Sequence, residues 1–198
     1  MHPRSDLLLS DNDRRELLIR ARQAIFETVS SSTFPNLPPA VGRLAELRGA
    51  FVTLRSNGKL RGCVGQPDAT HALEESVVQC AITAALRDQR FAPLRAEEMS
   101  GLEIEISVLS EQWLVRPEEV ELGIHGIVVT CGSSRGLLLP QVALERNWSV
   151  KQFLEAACRK ARLEGDAWRN PATNLSVFTA EVFSDAPGLG AKVQPSQS

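Results

Sequence analysis

Apolar and polar positions alternate most cleanly over residues 102–109. Leu102, Ile104, Ile106 and Val108 fall on one side and Glu103, Glu105 and Ser107 on the other, the period-two pattern of a half-buried strand. A period near 3.6 marks three helices. The first runs from about Ser10 to Val29, with Leu17, Leu18, Ala21, Ile25 and Val29 as its apolar stripe and Ser10/Asp13 resembling a capping box. The second carries Leu73, Val77, Cys80, Ala81 and Ala84, is capped by Asp68 or Thr70, and ends near Leu86. The third opens on the Ser149/Gln152 capping box, with Trp148 and Phe153 as a hydrophobic staple, and buries Phe153, Leu154, Ala157, Cys158 and Ala161.

Asn57-Gly58 lies between two apolar runs, and a two-residue type I′ turn needs φ > 0 at both central positions. A hairpin over residues 50–65 follows, in which Leu54 faces Arg61 and Val52 faces Cys63. Arg61 and Cys63 then share one face while Leu60 and Val64 take the other. A second hairpin is expected at 124–140 around the turn Gly132-Ser133-Ser134-Arg135, ended by Pro140. A last strand covers 177–183. Residues 30–39, with three prolines, read as a loop, 87–94 as a charged exit loop, and the stretch from Asp185 onward as a mobile tail. The predicted class is α+β, with mostly antiparallel sheets and flanking helices, because strands and helices interleave without a regular βαβ alternation.

Composition narrows the function classes. A chain of 198 residues with 43% hydrophobic and 23% charged residues has the make-up of a globular domain able to bury a core. A net charge of -2 argues against a nucleic-acid partner. No apolar run reaches the roughly 18 residues of a membrane span, and the start of the chain lacks the apolar region of a signal peptide. Four widely spaced cysteines, at 63, 80, 131 and 158, contain no C-x-x-C pair, so reduced thiols, no structural metal site and a cytoplasmic location are expected.

Candidate chemistry gathers around Leu60-Arg61-Gly62-Cys63-Val64-Gly65. A thiolate is the reactive form of cysteine, and Arg61 on the same face favours it. The plain alternative is a small hydrophobe in a half-buried sheet. His71 and His125 are candidate bases, although one also reads as a helix-start residue and the other as a turn residue. Gly62 and Gly65 could receive an anion through main-chain N–H groups. Arg61, Arg90 and Arg135 could together hold a carboxylate or phosphate.

These residues carry a resemblance. Leu60 to Gly65 resembles the signature of the AMMECR-type domain, also called AmmeMemoRadiSam system protein A. Arg90-Phe91-Ala92-Pro93-Leu94, Ile104 to Leu109, His125-Gly126-Ile127, Arg135 to Val142 and Trp148 to Ala161 resemble further family blocks in order. The likeness spans about residues 14 to 184, within a single domain drawn at 10–184. It departs from the family at Arg162, where a glycine is usual before Leu163.

The resemblance implies two unequal subdomains, the larger holding both termini, with a cleft between them. It also implies a Memo-like protein and a radical-SAM protein as partners, and leaves any cofactor unknown. The cleft is expected to be rimmed by Arg61, Cys63, Asp88, Arg90, Glu105 and Gln141. Glu105 ranks above Glu103 because it falls in a family block. The expected function is an enzyme or accessory subunit acting on a small anionic substrate or a modified partner. There Cys63 would be nucleophile or acid–base thiol, Arg61 the anion anchor, and Glu105 or a histidine the proton carrier. The alternative is a non-catalytic docking module using the same cleft.

Overall fold

A computed structural model describes residues 8–31 and 39–185. The chain divides into two compact units: the first runs to Leu109 and resumes at Glu181, and the second holds Ser110–Ala180.

The first unit is a four-stranded sheet with two helices on one face. Its strands β1 (Ala50–Ser56), β2 (Lys59–Gln66) and β3 (Leu102–Leu109) and a fourth strand, Ala180–Ser184, stand in the order β2-β1-β3-fourth. Both β2 and β3 run antiparallel to β1. Helices α1 (Asp11–Ser31) and α2 (Leu73–Leu86) pack against each other and against the sheet. Val52, Leu54, Ile104, Ile106 and Val108 meet Leu17, Ile25, Leu73, Val77 and Cys80 in one core. The capping box of α1 forms as expected. Asp13 N–H donates to Ser10 Oγ at 3.1 Å and Ser10 N–H to Asp13 Oδ2 at 3.0 Å. Between the helices, Arg20 of α1 is ion-paired with Glu74 of α2 and, along α1 itself, with Glu16. Burying the first pair would be costly unless both charges were satisfied.

The second unit contains β4 (Trp113–Leu114), β5 (Gly126–Cys131), β6 (Ser134–Leu138) and β7 (Asn174–Phe178), in the order β4-β7-β5-β6. The first sheet's fourth strand is therefore β8. Two helices belong to this unit, α3 (Pro140–Glu145) and α4 (Val150–Lys160). Phe153, Leu154 and Ala157 of α4 pack against Ile127, Val129 and Val177.

Several expectations are corrected. The 57–58 turn forms with φ of 52° and 72°, but a bulge between Leu54 and Arg55 shifts the register. Val52 faces Val64, Thr53 faces Cys63 and Leu54 faces Gly62, leaving Arg61 as the extra residue. Helix α2 begins at Leu73 on Ala72, with no side-chain cap, so neither Asp68 nor Thr70 caps it. The second hairpin turns on Gly132-Ser133, with Ser134 and Arg135 already in β6, and Pro140 starts a helix at its first position rather than only ending a strand. The single strand expected at 177–183 is two strands in different sheets, parted at Thr179. Asp185, placed in the tail from sequence, is tied in: its carboxylate accepts from Arg22 Nη2 at 2.6 Å and from Ile104 N–H at 2.8 Å. The remainder of that stretch, like residues 32–38, lies outside the described residues.

At Arg162 the departure from the family pattern has a visible cost. Helix α4 ends in a Schellman motif, with Leu163 N–H donating to Cys158 O and Arg162 N–H to Arg159 O, each at 3.0 Å. Arg162 holds the left-handed position at φ 61°, where a Cβ is disfavoured by about 1–2 kcal/mol. Arg162→Gly should therefore stabilise the protein by about 0.5–1 kcal/mol, after the glycine's greater unfolded-state entropy is subtracted. Urea unfolding midpoints check this, and an unchanged or lowered midpoint would count against it.

Candidate functional site

Cys63 stands on β2, an edge strand, and its side chain shares the face turned away from the helices with its partner Thr53. The neighbouring positions point the other way. Gly62 is backed by α2, where a Cβ would strike the main-chain carbonyl of Ala84, and Val64 packs on the core. Thr53 also faces Glu105 on β3. Cys63, Thr53 and Glu105 thus form one row across three strands, about 10 Å from end to end by Cα spacing. Thr53 Oγ1 donates to Cys63 Sγ at 3.3 Å.

An edge strand leaves every second residue's main-chain groups without a strand partner. For Cys63 those groups are taken by side chains. After α2 ends, Arg87 N–H closes on Thr83 O at 2.8 Å, and the chain turns so that Phe91 N–H reaches Asp88 O at 3.0 Å. Asp88 is thereby brought against β2, where its Oδ2 accepts from Cys63 N–H at 2.9 Å. Arg90 donates to Asp88 through Nε at 2.9 Å and Nη2 at 2.6 Å, and Nη2 also donates to Cys63 O at 3.2 Å. The Asp88 side chain is only 7% exposed and that of Arg90 is 56% exposed. Arg90's hydrogen bonds hold the Asp88 carboxyl well below the usual carboxylate range, against the opposing effect of burial.

The other expected site residues are placed as follows. The Arg61 guanidinium is turned to Glu98, donating through Nε at 2.8 Å and Nη2 at 3.1 Å. This pairing lowers the Glu98 pKa and balances the charge expected to anchor an anion. Gly65 lies under the Phe51 ring, so both glycines have a packing reason for lacking a side chain. His71 precedes α2 and is exposed; Gln66 Nε2 lies 2.6 Å and Thr70 Oγ1 2.9 Å from its Nδ1. His125 belongs to the second unit and is buried. Its Nδ1 accepts from Glu121 N–H at 3.1 Å, which puts the ring proton of the neutral form on Nε2, and the ring meets Trp113 edge-on at 5.5 Å. Arg135, exposed on β6, and Gln141, in the first turn of α3, are in the second unit too.

Thr53 and Glu98 were not singled out from sequence. The correct register would have shown Thr53; no local signal pairs Glu98 with a residue 37 positions away. Cys80 and Cys158 are core residues, the first 2% exposed and the second fully buried. Burial pushes the Cys80 thiol up to about 11 and raises that of Cys158. Among the described residues no three His, Cys, Asp or Glu side chains gather as a metal site, and no helix is long and apolar enough to cross a membrane.

Comparison with known proteins shows the family and the fold. Protein MK0488 of Methanopyrus kandleri is 42% identical over 181 residues, covering 86% of this chain and 87% of its own. Protein PF1979 of Pyrococcus furiosus is 38% identical over 186 residues, covering 86% and 87%. The fold is similar to that in "Crystal Structure of Uncharacterized Protein PH0010 From Pyrococcus horikoshii", with a TM-score of 0.82 and 36% identity over 89% of this chain and 93% of that one. The AMMECR1 family model matches residues 18–183, a span that includes the Cys63 strand, its Asp88–Arg90 clamp and both sheets, and the chain belongs to the AMMECR1 family.

Proposed function

We propose that the open face of the first sheet around Cys63 is the working site of a thiol-dependent enzyme or accessory subunit. Its substrate is a small anion or a modified partner protein, in a pathway shared with Memo-like and radical-SAM proteins. The observation that carries this reading is the treatment of Cys63 itself. Its sulfur accepts from Thr53, and both its main-chain groups are gripped by Asp88 and Arg90. A cysteine held by its sulfur and by both main-chain groups, on a face away from the core, is oriented for chemistry. Cys63 is the nucleophile or acid–base group, and Glu105, in the same row, the proton carrier, with Thr53 between them. The exposed face of Arg90 takes the substrate anion in place of Arg61.

The docking alternative has one specific support. Arg61 and Arg90, two of the expected anion anchors, are each paired with a carboxylate, which favours a partner surface over a small anion. Two measurements separate the readings. Iodoacetamide should label Cys63 in the folded protein, while Cys80 and Cys158 stay silent until denaturant is added, and Thr53→Val should slow the Cys63 reaction. In a reaction reconstituted with the Memo-like and radical-SAM proteins, Cys63→Ser should cut turnover at least about 100-fold, the scale of a lost acid–base group. A Cys63 that labels only after unfolding, or a serine variant with full turnover, would overturn the enzyme reading in favour of docking.

A further inference from the structure

The second unit contains a cavity of about 540 Å³ that shares no residue with the Cys63 site. That volume lies within the range of small-molecule sites. Its wall is built from the segment after β4 and from the turn between α4 and β7, and includes Arg116, Trp168, Arg169, Pro171, Thr173 and Leu175. In a chain with 24 acidic and 22 basic residues, the lining holds two arginines and no carboxylate.

The two arginines are differently prepared. The Arg169 guanidinium lies 4.3 Å over the Trp168 ring, a stacking that fixes its plane while leaving its N–H edge to donate. No carboxylate among the described residues pairs with it. Arg116 pairs with Glu119 at 3.3 Å, with both side chains largely exposed, a contact weak enough to be exchanged for a ligand. Leu175, Pro171 and the Trp168 ring supply the apolar remainder.

We propose that this cavity binds a small organic anion, an apolar or planar body bearing one carboxylate or phosphate, with Arg169 as its principal anchor. The inference is independent of the reading given to Cys63.

The test is a titration of the full chain with phenylacetate, phenyl phosphate and the neutral phenylacetamide, followed through the indole ¹H–¹⁵N signals of the three tryptophans. Saturable shifts of the Trp168 signal with either anion at millimolar or lower concentration are expected, with Trp113 and Trp148 moving less. Arg169→Met keeps the apolar stem and removes the charge, and should weaken binding about tenfold or more. Tighter binding of phenyl phosphate would assign a phosphate ligand, and tighter binding of phenylacetate a carboxylate; both support the proposal. No saturable shift, equal binding of the amide, or unchanged affinity in Arg169→Met with its other indole signals intact would overturn it.

Discussion

Gly62→Ala should be among the most damaging single-methyl changes in the first unit. The new Cβ would meet the carbonyl oxygen of Ala84, a main-chain atom in the last turn of α2 that cannot swing aside. Relief requires the helix or the strand to move, and overpacking of this kind costs about 1–3 kcal/mol and occasionally more. In a chain of this size each kcal/mol lowers the thermal midpoint by about 2–4 °C. Gly65→Ala is the internal comparison, because the nearest atoms its Cβ would meet are those of the Phe51 ring, a side chain rather than main chain. Circular dichroism melts should rank Gly62→Ala well below Gly65→Ala. If the two melt alike, the close approach of α2 to β2 is wrong.

Asp88→Asn should carry the second large effect, because it keeps the shape and removes the charge. The amide oxygen can still accept from Cys63 N–H, but the two charged bonds from Arg90 are lost, and one now faces an NH₂ group. A hydrogen bond to a charged, nearly buried group contributes about 1.5–3 kcal/mol. The pH dependence follows from the direction of the Asp88 shift. A carboxyl lowered in the folded state contributes fully above its unfolded value of about 3.9, and the contribution fades as pH falls through the lower folded value. The stability gap between wild type and Asp88→Asn should therefore be the same at pH 7 and pH 5 and shrink only in stronger acid. Urea unfolding at pH 7, 5 and 3 measures it. A gap already closed at pH 5 would mean that Arg90 does not hold this carboxylate.

Where periodicity was long and unbroken, as in β3 and the faces of α1, α2 and α4, sequence and structure agree. The failures have physical causes. The bulge beside Arg55 leaves no mark in residue types, since Leu60-Arg61-Gly62 reads equally well with or without an extra residue, yet it decides that Thr53 rather than Val52 stands beside Cys63. Strands β7 and β8 merged because apolar residues continue through Thr179, where the chain changes sheets. Around Cys63, the candidates Arg61, Asp88 and Arg90 can be picked out from sequence. What could not be read was who holds whom: Arg61 goes to Glu98, while Asp88 reaches Cys63 across 25 positions. Such partners are chosen by tertiary packing, and local spacing does not encode them.

The first unit's sheet is completed by β8, which lies beside β3 and brings Glu181 to Arg14 at 2.6 Å and to Leu9 N–H at 3.1 Å. These contacts join the beginning of the described chain to its end, so the unit is interrupted in sequence by all of Ser110–Ala180. During vectorial synthesis the inserted unit is finished first. The emerging N-terminal half must wait with the outer edge of β3 unpaired, a template for pairing with other chains. A segment made after the whole inserted unit thus closes the oldest part of the molecule, and a nascent chain released just before Glu181 would meet its neighbours with that edge open.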